Sequence, residues 1–153
     1  MTDVTASPPS PPLDVDDLTA RLRVGLTRIG RKLRHQAASD LTPSQLSALA
    51  AVNRQGPLTL GHLADFEHVA PPSITKVVDN LESRGLVERQ PDPTDRRVRH
   101  VSITATGEDL LAHTRARKDA WLATQLAELD PDQLARLAGG LEILEAFIAA
   151  DPA

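Results

Sequence analysis

Two groups of polar and basic side chains in the middle of this 153-residue chain have the chemistry to bind a polyanion. The first group lies in one short segment, which Pro72 opens, and consists of Ser73, Thr75, Lys76 and Asn80. The second group lies in a charged stretch and consists of Asp95, Arg96, Arg97 and Arg99. Hydroxyl and amide groups donate hydrogen bonds to phosphates or base edges, and lysine and arginine add ion pairs. The residue types leave open which side chains would contact phosphate and which would read bases.

A short amphipathic helix is predicted to carry the first group. Ile74, Val77, Val78 and Leu81 recur at i, i+3, i+4 and i+7, so one face is apolar while the polar residues point elsewhere. Gly85 follows as a helix stop.

A β-hairpin is predicted to carry the second group. Val87 to Arg89 and Arg99 to Ile103 are strand-like, and the charged run from Gln90 to Val98 between them forms a long tip.

Two further helix starts precede these elements. Thr42-Pro43-Ser44-Gln45 has the residues of a capping box with proline at the first helical position, and Thr59 can cap a third helix. A tight turn at residues 68–70 then leads into the amphipathic helix. Two short helices joined in this way match a helix-turn-helix motif.

Long helices are predicted at both ends of the chain. The first begins at Asp14, Asp16 or Asp17 and runs to about Ala38, and a second runs from Ala105, after Thr104, to about Leu129. A final helix follows a second cap-proline-glutamine sequence at residues 130–133. Apolar stripes with steps of three and four run along the first and last helices: Leu18, Leu22, Leu26, Ile29 and Leu33, then Leu134, Leu137, Leu141, Leu144 and Ile148. Such stripes predict a dimerisation lobe, and packing within one monomer is the alternative.

Charge is distributed unevenly along the chain. The formal net charge is -4, but residues 1–18 carry four acids and no base, residues 19–100 carry 13 bases and 8 acids, and residues 101–153 carry 4 bases and 9 acids. Six of the bases lie on the first helix and are read either as a solvated or internally paired face or as a face toward phosphate or an anionic effector. A polarised molecule of this kind can dock an anion with its basic part.

Several function classes find no support in the sequence. The chain has no cysteine, which excludes thiol catalysis and thiol oxidation switches. It has no recognised catalytic or phosphate-loop motif, so we expect neither an enzyme nor a cofactor. His62 and His68 with Asp65 and Glu67 lack a recognised ligand spacing, so we expect surface histidines and no metal. With no long apolar run or signal sequence, we expect a cytoplasmic protein that does not enter a membrane.

From Leu18 to Ile148 the chain resembles the MarR family of transcriptional regulators. The resemblance is carried by the segment from Ser73 to Val87, which is similar to the recognition helix of the family, and by Asp92-Pro93-Thr94-Asp95-Arg96-Arg97 with residues 101–107, which is similar to its wing. The implied fold is mainly α with a small β-hairpin wing (α+β). It divides into a disordered lead-in (1–13), a first helix (14–40), a winged helix-turn-helix lobe (41–104) and C-terminal helices (105–153) that complete the dimerisation lobe.

The resemblance also implies partners and site roles. A homodimer would bind an inverted-repeat operator in double-stranded DNA, as a repressor, with the helix from Pro71 in the major groove and Arg97 in the minor groove, held by Asp95. Lys76 departs from the arginine common in the family and lacks its two-pronged fit to guanine. Family members commonly respond to a small phenolic or anionic effector, which Arg28 or Arg31 would meet here. The alternative is a winged-helix protein-interaction module, favoured by a net charge of only +1 over residues 71–100.

Overall fold

The computed structural model describes residues 14–36, 40–95 and 97–150, and these form six helices and three strands. The elements in chain order are α1 (Val15–Gln36), α2 (Pro43–Gln55), β1 (Leu58–Thr59), α3 (Leu60–Phe66), α4 (Pro71–Ser83), β2 (Val87–Pro91), β3 (Arg99–Ile103), α5 (Ala105–Ala127) and α6 (Pro131–Ala150). The strands form one antiparallel sheet in the order β1-β3-β2. The expected mainly helical fold with a small β-hairpin is confirmed.

The segment from Leu41 through α2 to β3, which we call the winged lobe, contains the hydrophobic core. Three helices and the sheet enclose apolar side chains that are almost completely shielded from solvent, among them Leu49, Leu63, Ile74, Leu81 and Val101. The apolar stripe of α4 was predicted from its period, and Ile74, Val78 and Leu81 are indeed buried. This core holds the helices in fixed relative positions.

The predicted helix starts are confirmed by their hydrogen bonds. In α2 the Thr42 hydroxyl oxygen accepts from the Gln45 amide at 3.3 Å, and the Gln45 side-chain oxygen accepts from the Thr42 amide at 2.9 Å. The Thr59 hydroxyl oxygen accepts from the His62 amide at 3.2 Å. Asp130 and Gln133 form the same reciprocal pair before α6. These contacts satisfy amide groups that lack partners at helix starts.

Left-handed residues terminate the two helices of the helix-turn-helix. His68 has φ 51° and Gly85 has φ 68°. After each, a backbone amide reaches back into the last helical turn: Val69 to the Ala64 carbonyl at 3.0 Å, and Leu86 to the Leu81 carbonyl at 3.0 Å. This pattern is the Schellman motif. Glycine was expected at position 85, whereas the strained conformation of His68 gave no signal in the sequence.

Gly107 lets the start of α5 approach the end of α4 closely. A Cβ atom at position 107 would stand 2.3 Å from the Leu86 carbonyl oxygen and 2.7 Å from Cγ1 of Ile103. Thr104 fastens the same junction, because its hydroxyl donates to the Gly85 carbonyl at 2.6 Å and accepts from the Gly107 amide at 3.2 Å. The end of α4 and strand β3 are therefore tied to the first turn of α5.

The outer helices, α1 and α6, contrast with the winged lobe because neither has a buried residue. Asp14, one of three expected caps, accepts from the Asp16 amide at 3.0 Å. The predicted end of the first helix at Ala38 lies outside the described residues. The helix α5 ends at Ala127, two residues before the predicted Leu129, because Asp130 already begins the next cap. No helix among the described residues is long and apolar enough to cross a membrane.

Candidate nucleic-acid interface

The first group of predicted site residues shares the exposed side of α4. Pro72, Ser73 and Lys76 are exposed near the start of the helix, and Asn80 is exposed near its end. Because Ile74, Val78 and Leu81 anchor the opposite side, the polar face points out of the winged lobe. A helix presented in this way can enter the DNA major groove with its N-terminal residues first.

Two members of this group already have protein partners. The hydroxyl of Thr75, which is half-buried, donates to the Pro71 carbonyl at 2.9 Å. The Asn80 side-chain oxygen accepts from Nε2 of Gln45 on α2 at 2.8 Å. Ser73 and Lys76 are therefore the better-placed donors for DNA.

Asp92 organises the loop between β2 and β3. Its Oδ1 accepts from the Thr94 amide at 2.7 Å, the Thr94 hydroxyl at 2.6 Å and the Asp95 amide at 2.9 Å. Its Oδ2 lies 2.9 Å from Nε2 of His100. The Thr94 hydroxyl, then the Asp95 amide and the His100 ring, hold the pKa of the Asp92 carboxyl well below its ordinary value. The wing loop is thus built around an ionised carboxylate.

His100 pairs with Asp92 through one ring nitrogen only. Its other nitrogen, Nδ1, is buried and has no hydrogen-bond partner among the described residues. The tautomer with hydrogen on Nε2 therefore donates to Asp92 and leaves no buried donor unsatisfied.

Asp95 also contributes to the wing turn. Its Oδ1 accepts from the backbone amide of Arg97 at 3.0 Å. The resemblance implied that Asp95 holds the wing arginine, and the contact present fixes the main chain of Arg97. Arg97 and Arg99 are exposed, so both guanidinium groups are accessible. Arg96, which was also expected at the tip, lies outside the described residues.

Arg89 joins the wing to the recognition helix, and sequence reasoning gave it no role. It extends from β2 to α4, where Nη2 lies 2.6 Å from Oδ1 of Asp79 and Nη1 bonds to the Glu82 carboxylate. The Arg89 side chain is only 15% exposed. The spacing of two acids at i and i+3 on one helix, followed by an arginine in the next strand, could have indicated this pairing.

This internal cluster changes the charge that the interface presents. Residues 71–100 carry six bases and five acids. Arg89 pairs with two of the acids, so the cluster keeps a net charge of -1 and five bases against three acids remain outside it. One of those three acids is Asp92, whose carboxylate is occupied by the wing turn. Outside the cluster, the exposed bases among the described residues of this segment are Lys76 on α4, Arg84 at its end, and Arg97 and Arg99 on the wing.

A second feature is a cleft between α2 and the helices α1 and α5. Two adjoining hollows, of about 410 and 270 Å³, share Leu46, Ser47, Ala50 and Lys118. Four cations line them: Arg34 of α1, Arg54 of α2, and Arg115 and Lys118 of α5. No acid lines the cleft among the described residues, and leucine and alanine side chains form its apolar wall. The cleft can accommodate a small molecule with an apolar body and a negative charge.

The expected effector residues, Arg28 and Arg31, do not line this cleft. They border a separate hollow on α1 together with Lys32, His35 and Gln36. Arg34, one helical turn further along, reaches the cleft instead. The sequence contained a signal for the α5 side: three of the four bases in residues 101–153 fall between positions 115 and 118.

The histidines show no metal site. Among the described residues, which include His62, His68, Asp65 and Glu67, no group of three or more histidine, aspartate or glutamate side chains could hold a metal ion.

Two helices joined by a tight turn, followed by an ordered hairpin, define a winged helix-turn-helix protein. Residues 41–98 match the MarR family model. An HTH-type transcriptional regulator of Mycobacterium tuberculosis is 35% identical over 136 residues, which cover 88% of this chain and 95% of that protein. A putative transcriptional regulator of Pseudomonas aeruginosa has a solved structure with 32% identity and a TM-score of 0.79, and the match covers 90% of this chain and 98% of that one.

The chain belongs to the MarR family of transcriptional regulators. The HTH-type repressor MdtR of Bacillus subtilis is a more distant relative, 27% identical over 128 residues, which cover 80% of this chain and 83% of that protein. The chain is thus a helix-turn-helix transcriptional regulator, and its family consists of regulators and not of enzymes.

Proposed function

We propose that this protein is a repressor that binds an inverted-repeat operator as a homodimer and is released from it by a small anionic effector. The observation that carries the proposal is the pair of outer helices, which expose an apolar surface that the single chain leaves uncovered. A winged helix-turn-helix with one exposed recognition helix needs a second copy to read two half-sites.

The size of the exposed apolar surface supports a dimer. Six large apolar side chains of α1 and six of α6 are each at least 37% exposed: Val15, Leu18, Leu22, Val24, Leu26 and Ile29, then Leu134, Leu137, Leu141, Ile143, Phe147 and Ile148. An apolar groove of about 520 Å³ runs between the two helices. Soluble monomers rarely expose contiguous patches of this kind, so a second copy is the occupant we propose.

Two-fold symmetry would set the form of the operator. The recognition helices of a dimer would enter successive major grooves about 34 Å apart, one helical turn of DNA. Arg97 would enter the adjacent minor groove, where the negative electrostatic potential is strong and attracts a guanidinium group. The repressor direction is supported by the name of the Bacillus subtilis relative.

Two measurements test the dimer and its operator. Size-exclusion chromatography with light scattering should give twice the chain mass of 16.5 kDa. Selection from a random double-stranded DNA pool should recover an inverted repeat. A monomer in solution, or selection without sequence preference, would contradict the proposal and favour a protein-interaction module.

The effector part of the proposal is supported by the cleft of four cations. A ligand can release the operator only if it binds more tightly to a dimer whose recognition helices are misplaced. The cleft adjoins α2, which packs on α4, and α5, which follows the wing in the chain. A ligand bound in the cleft can therefore shift the positions of α4 and the wing.

Calorimetry with benzoate, and with benzyl alcohol as its uncharged counterpart, tests this assignment. We expect measurable binding of benzoate alone, and loss of that binding in Lys118→Ala. Arg28→Ala is the matched control on the nearby α1 hollow. Equal binding of the two ligands, or loss in Arg28→Ala instead of Lys118→Ala, would contradict the cleft as the effector site.

A further inference from the structure

Both the oxygen and the nitrogen of the Gln45 carboxamide, on α2, form hydrogen bonds. The Gln45 oxygen accepts from the Thr42 amide at 2.9 Å and so caps α2, while its Nε2 donates to the Asn80 side-chain oxygen on the recognition helix at 2.8 Å. Gln45 therefore links the start of α2 directly to α4, across 35 positions of sequence.

A second contact joins the same two regions. Nη1 of Arg84, at the end of α4, donates to the Asp40 carbonyl at 3.1 Å. Asp40 lies in the connection that leads from α1 into α2, between Gln36 and Pro43. Leu41, the next residue, is buried in the core of the winged lobe. The C-terminal half of the recognition helix is thus attached at two points to the chain that enters from an outer helix.

Apolar packing between α2 and α4 does not by itself fix their register. Contacts such as those of Leu49 and Val78 are non-directional and tolerate small sliding or rotation. A hydrogen bond between a given donor and acceptor removes that freedom, since its strength falls steeply with distance and angle. Gln45 and Asn80 are both accessible to solvent, so their link serves orientation more than stability.

We propose that Gln45 and Asn80 are positioning residues that fix the recognition helix relative to the connection from α1, and so set the separation of the two recognition helices in the dimer. Asn80 then acts through Gln45 and not by reading DNA. This inference rests on the proposed dimeric operator binding. It predicts that breaking the link changes tolerance of half-site spacing, which a purely structural contact would not do.

A double-mutant cycle isolates the link without removing the helix cap. In Gln45→Glu the carboxylate still accepts from the Thr42 amide, and the Asn80 carboxamide can turn over and donate to it. In Asn80→Asp the carboxylate still accepts from Gln45. In the double variant both side chains are carboxylates, which accept hydrogen bonds but have no hydrogen to donate. Each single variant therefore keeps the hydrogen bond between positions 45 and 80, and the double variant loses it.

The readout is anisotropy on the selected operator and on copies with one base pair inserted or removed between half-sites. Each single variant adds one negative charge and should lower affinity while keeping the wild-type spacing preference. The double variant should lose about five-fold or more beyond the product of the single losses, within the range for contacting residues, and its spacing preference should flatten. Arg84→Met, which removes the second contact without adding a carboxylate, should also flatten it.

Losses that simply multiply, with an unchanged spacing preference in both the double variant and Arg84→Met, would overturn this inference alone. A wild-type protein that binds without any spacing preference would overturn the proposed dimeric operator binding and this inference with it. Thermal unfolding of each variant confirms that the comparison is made on folded protein.

Discussion

The winged lobe and the outer helices differ in where their apolar side chains find partners. Every apolar side chain buried in the described residues falls between Leu41 and Val101, within the winged lobe. The outer helices α1 and α6 are comparable in length to α5 and carry regular apolar stripes, yet none of their residues is buried. The winged lobe buries its apolar side chains within one chain, whereas the apolar stripes of the outer helices stay exposed.

This difference assigns separate sources of stability to the two regions. The winged lobe is stabilised by intrachain burial and should unfold at a denaturant concentration that hardly depends on protein concentration. In the proposed dimer the outer helices bury their stripes against a second copy, so their order should strengthen as protein concentration rises.

The largest expected effect is from a charge on the outer surface of α6. Leu141→Asp should abolish the dimer and lower operator affinity on the order of 100-fold or more, because an unpaired charge in an apolar interface costs roughly 3–5 kcal/mol and the two-fold axis repeats it. Light scattering measures the mass, and anisotropy measures affinity.

Leu141→Met is the matched control, since it keeps volume and apolarity and should remain dimeric. The winged lobe of Leu141→Asp should still unfold cooperatively. A dimer that survives Leu141→Asp would show that the apolar stripe of α6 does not form the interface between the two copies.

The second largest effect is expected on the stability of the winged lobe. Gly107→Ala should lower the free energy of unfolding of the winged lobe by about 1–3 kcal/mol, because the new Cβ collides with backbone and not with a flexible side chain end. Urea unfolding at two protein concentrations should show the same loss at both, since the junction lies within one chain.

Gly61→Ala is its control in the same lobe. A Cβ at position 61 meets its nearest atom, Oγ1 of Thr59, at 3.9 Å, an ordinary contact in a helix. That variant should be neutral or stabilise the lobe by about 0.4–1 kcal/mol. If Gly107→Ala did not lower the free energy of unfolding either, α5 could not lie as close to the Leu86 carbonyl as described.

Sequence patterns predicted the parts of the fold that depend on local rules. The caps at Thr42 and Thr59, the stop at Gly85 and the apolar face of α4 were all predictable, because each is set by residues within a few positions. The family resemblance added their assembly into a winged helix-turn-helix.

The side-chain contacts between distant elements could not be predicted in the same way. Arg89 with Glu82, Gln45 with Asn80 and Arg84 with Asp40 join residues that only the tertiary fold brings together. The cleft could not be predicted for the same reason, because Arg34 and Lys118 lie on different helices, and the effector residues expected with the family resemblance, Arg28 and Arg31, border a separate hollow. Contacts between residues that are distant in sequence are therefore the features that only the tertiary structure reveals.

A smaller effect tests the wing itself. Arg97→Ala should weaken operator binding about ten-fold or more and reduce the slope of log affinity against log salt by about 2, because each of the two copies in the dimer loses one cationic contact to the DNA backbone. The dimer should be unchanged, since Arg97 is exposed at the tip of the winged lobe and far in sequence from the outer helices.

Anisotropy across a salt series measures both quantities. Arg97→Lys should keep the salt slope while losing part of the affinity, because lysine keeps the charge without the planar fork. An unchanged affinity and slope in Arg97→Ala would remove Arg97 from the interface and leave α4 as the only DNA-contacting element of the lobe.

The smallest expected effect is the pH dependence given by the wing carboxylate. Because its hydrogen bonds lower the folded-state pKa of Asp92, the carboxylate stabilises the winged lobe above the unfolded-state pKa of about 3.9, and this contribution is lost as the pH falls toward the lowered value. Asp92→Asn cannot titrate, and it cannot accept from both Thr94 and His100 as the carboxylate does.

The difference in free energy of unfolding between wild type and Asp92→Asn should therefore favour wild type at about pH 5 and shrink below about pH 4. Urea unfolding along this pH series measures it, and subtracting the variant cancels the acids that both proteins share. A difference that does not change with pH would mean that Asp92 orders the wing through shape alone and not through its charge. In that case the wing would resemble the core of the winged lobe, held by packing, and not a loop built on one ionised group.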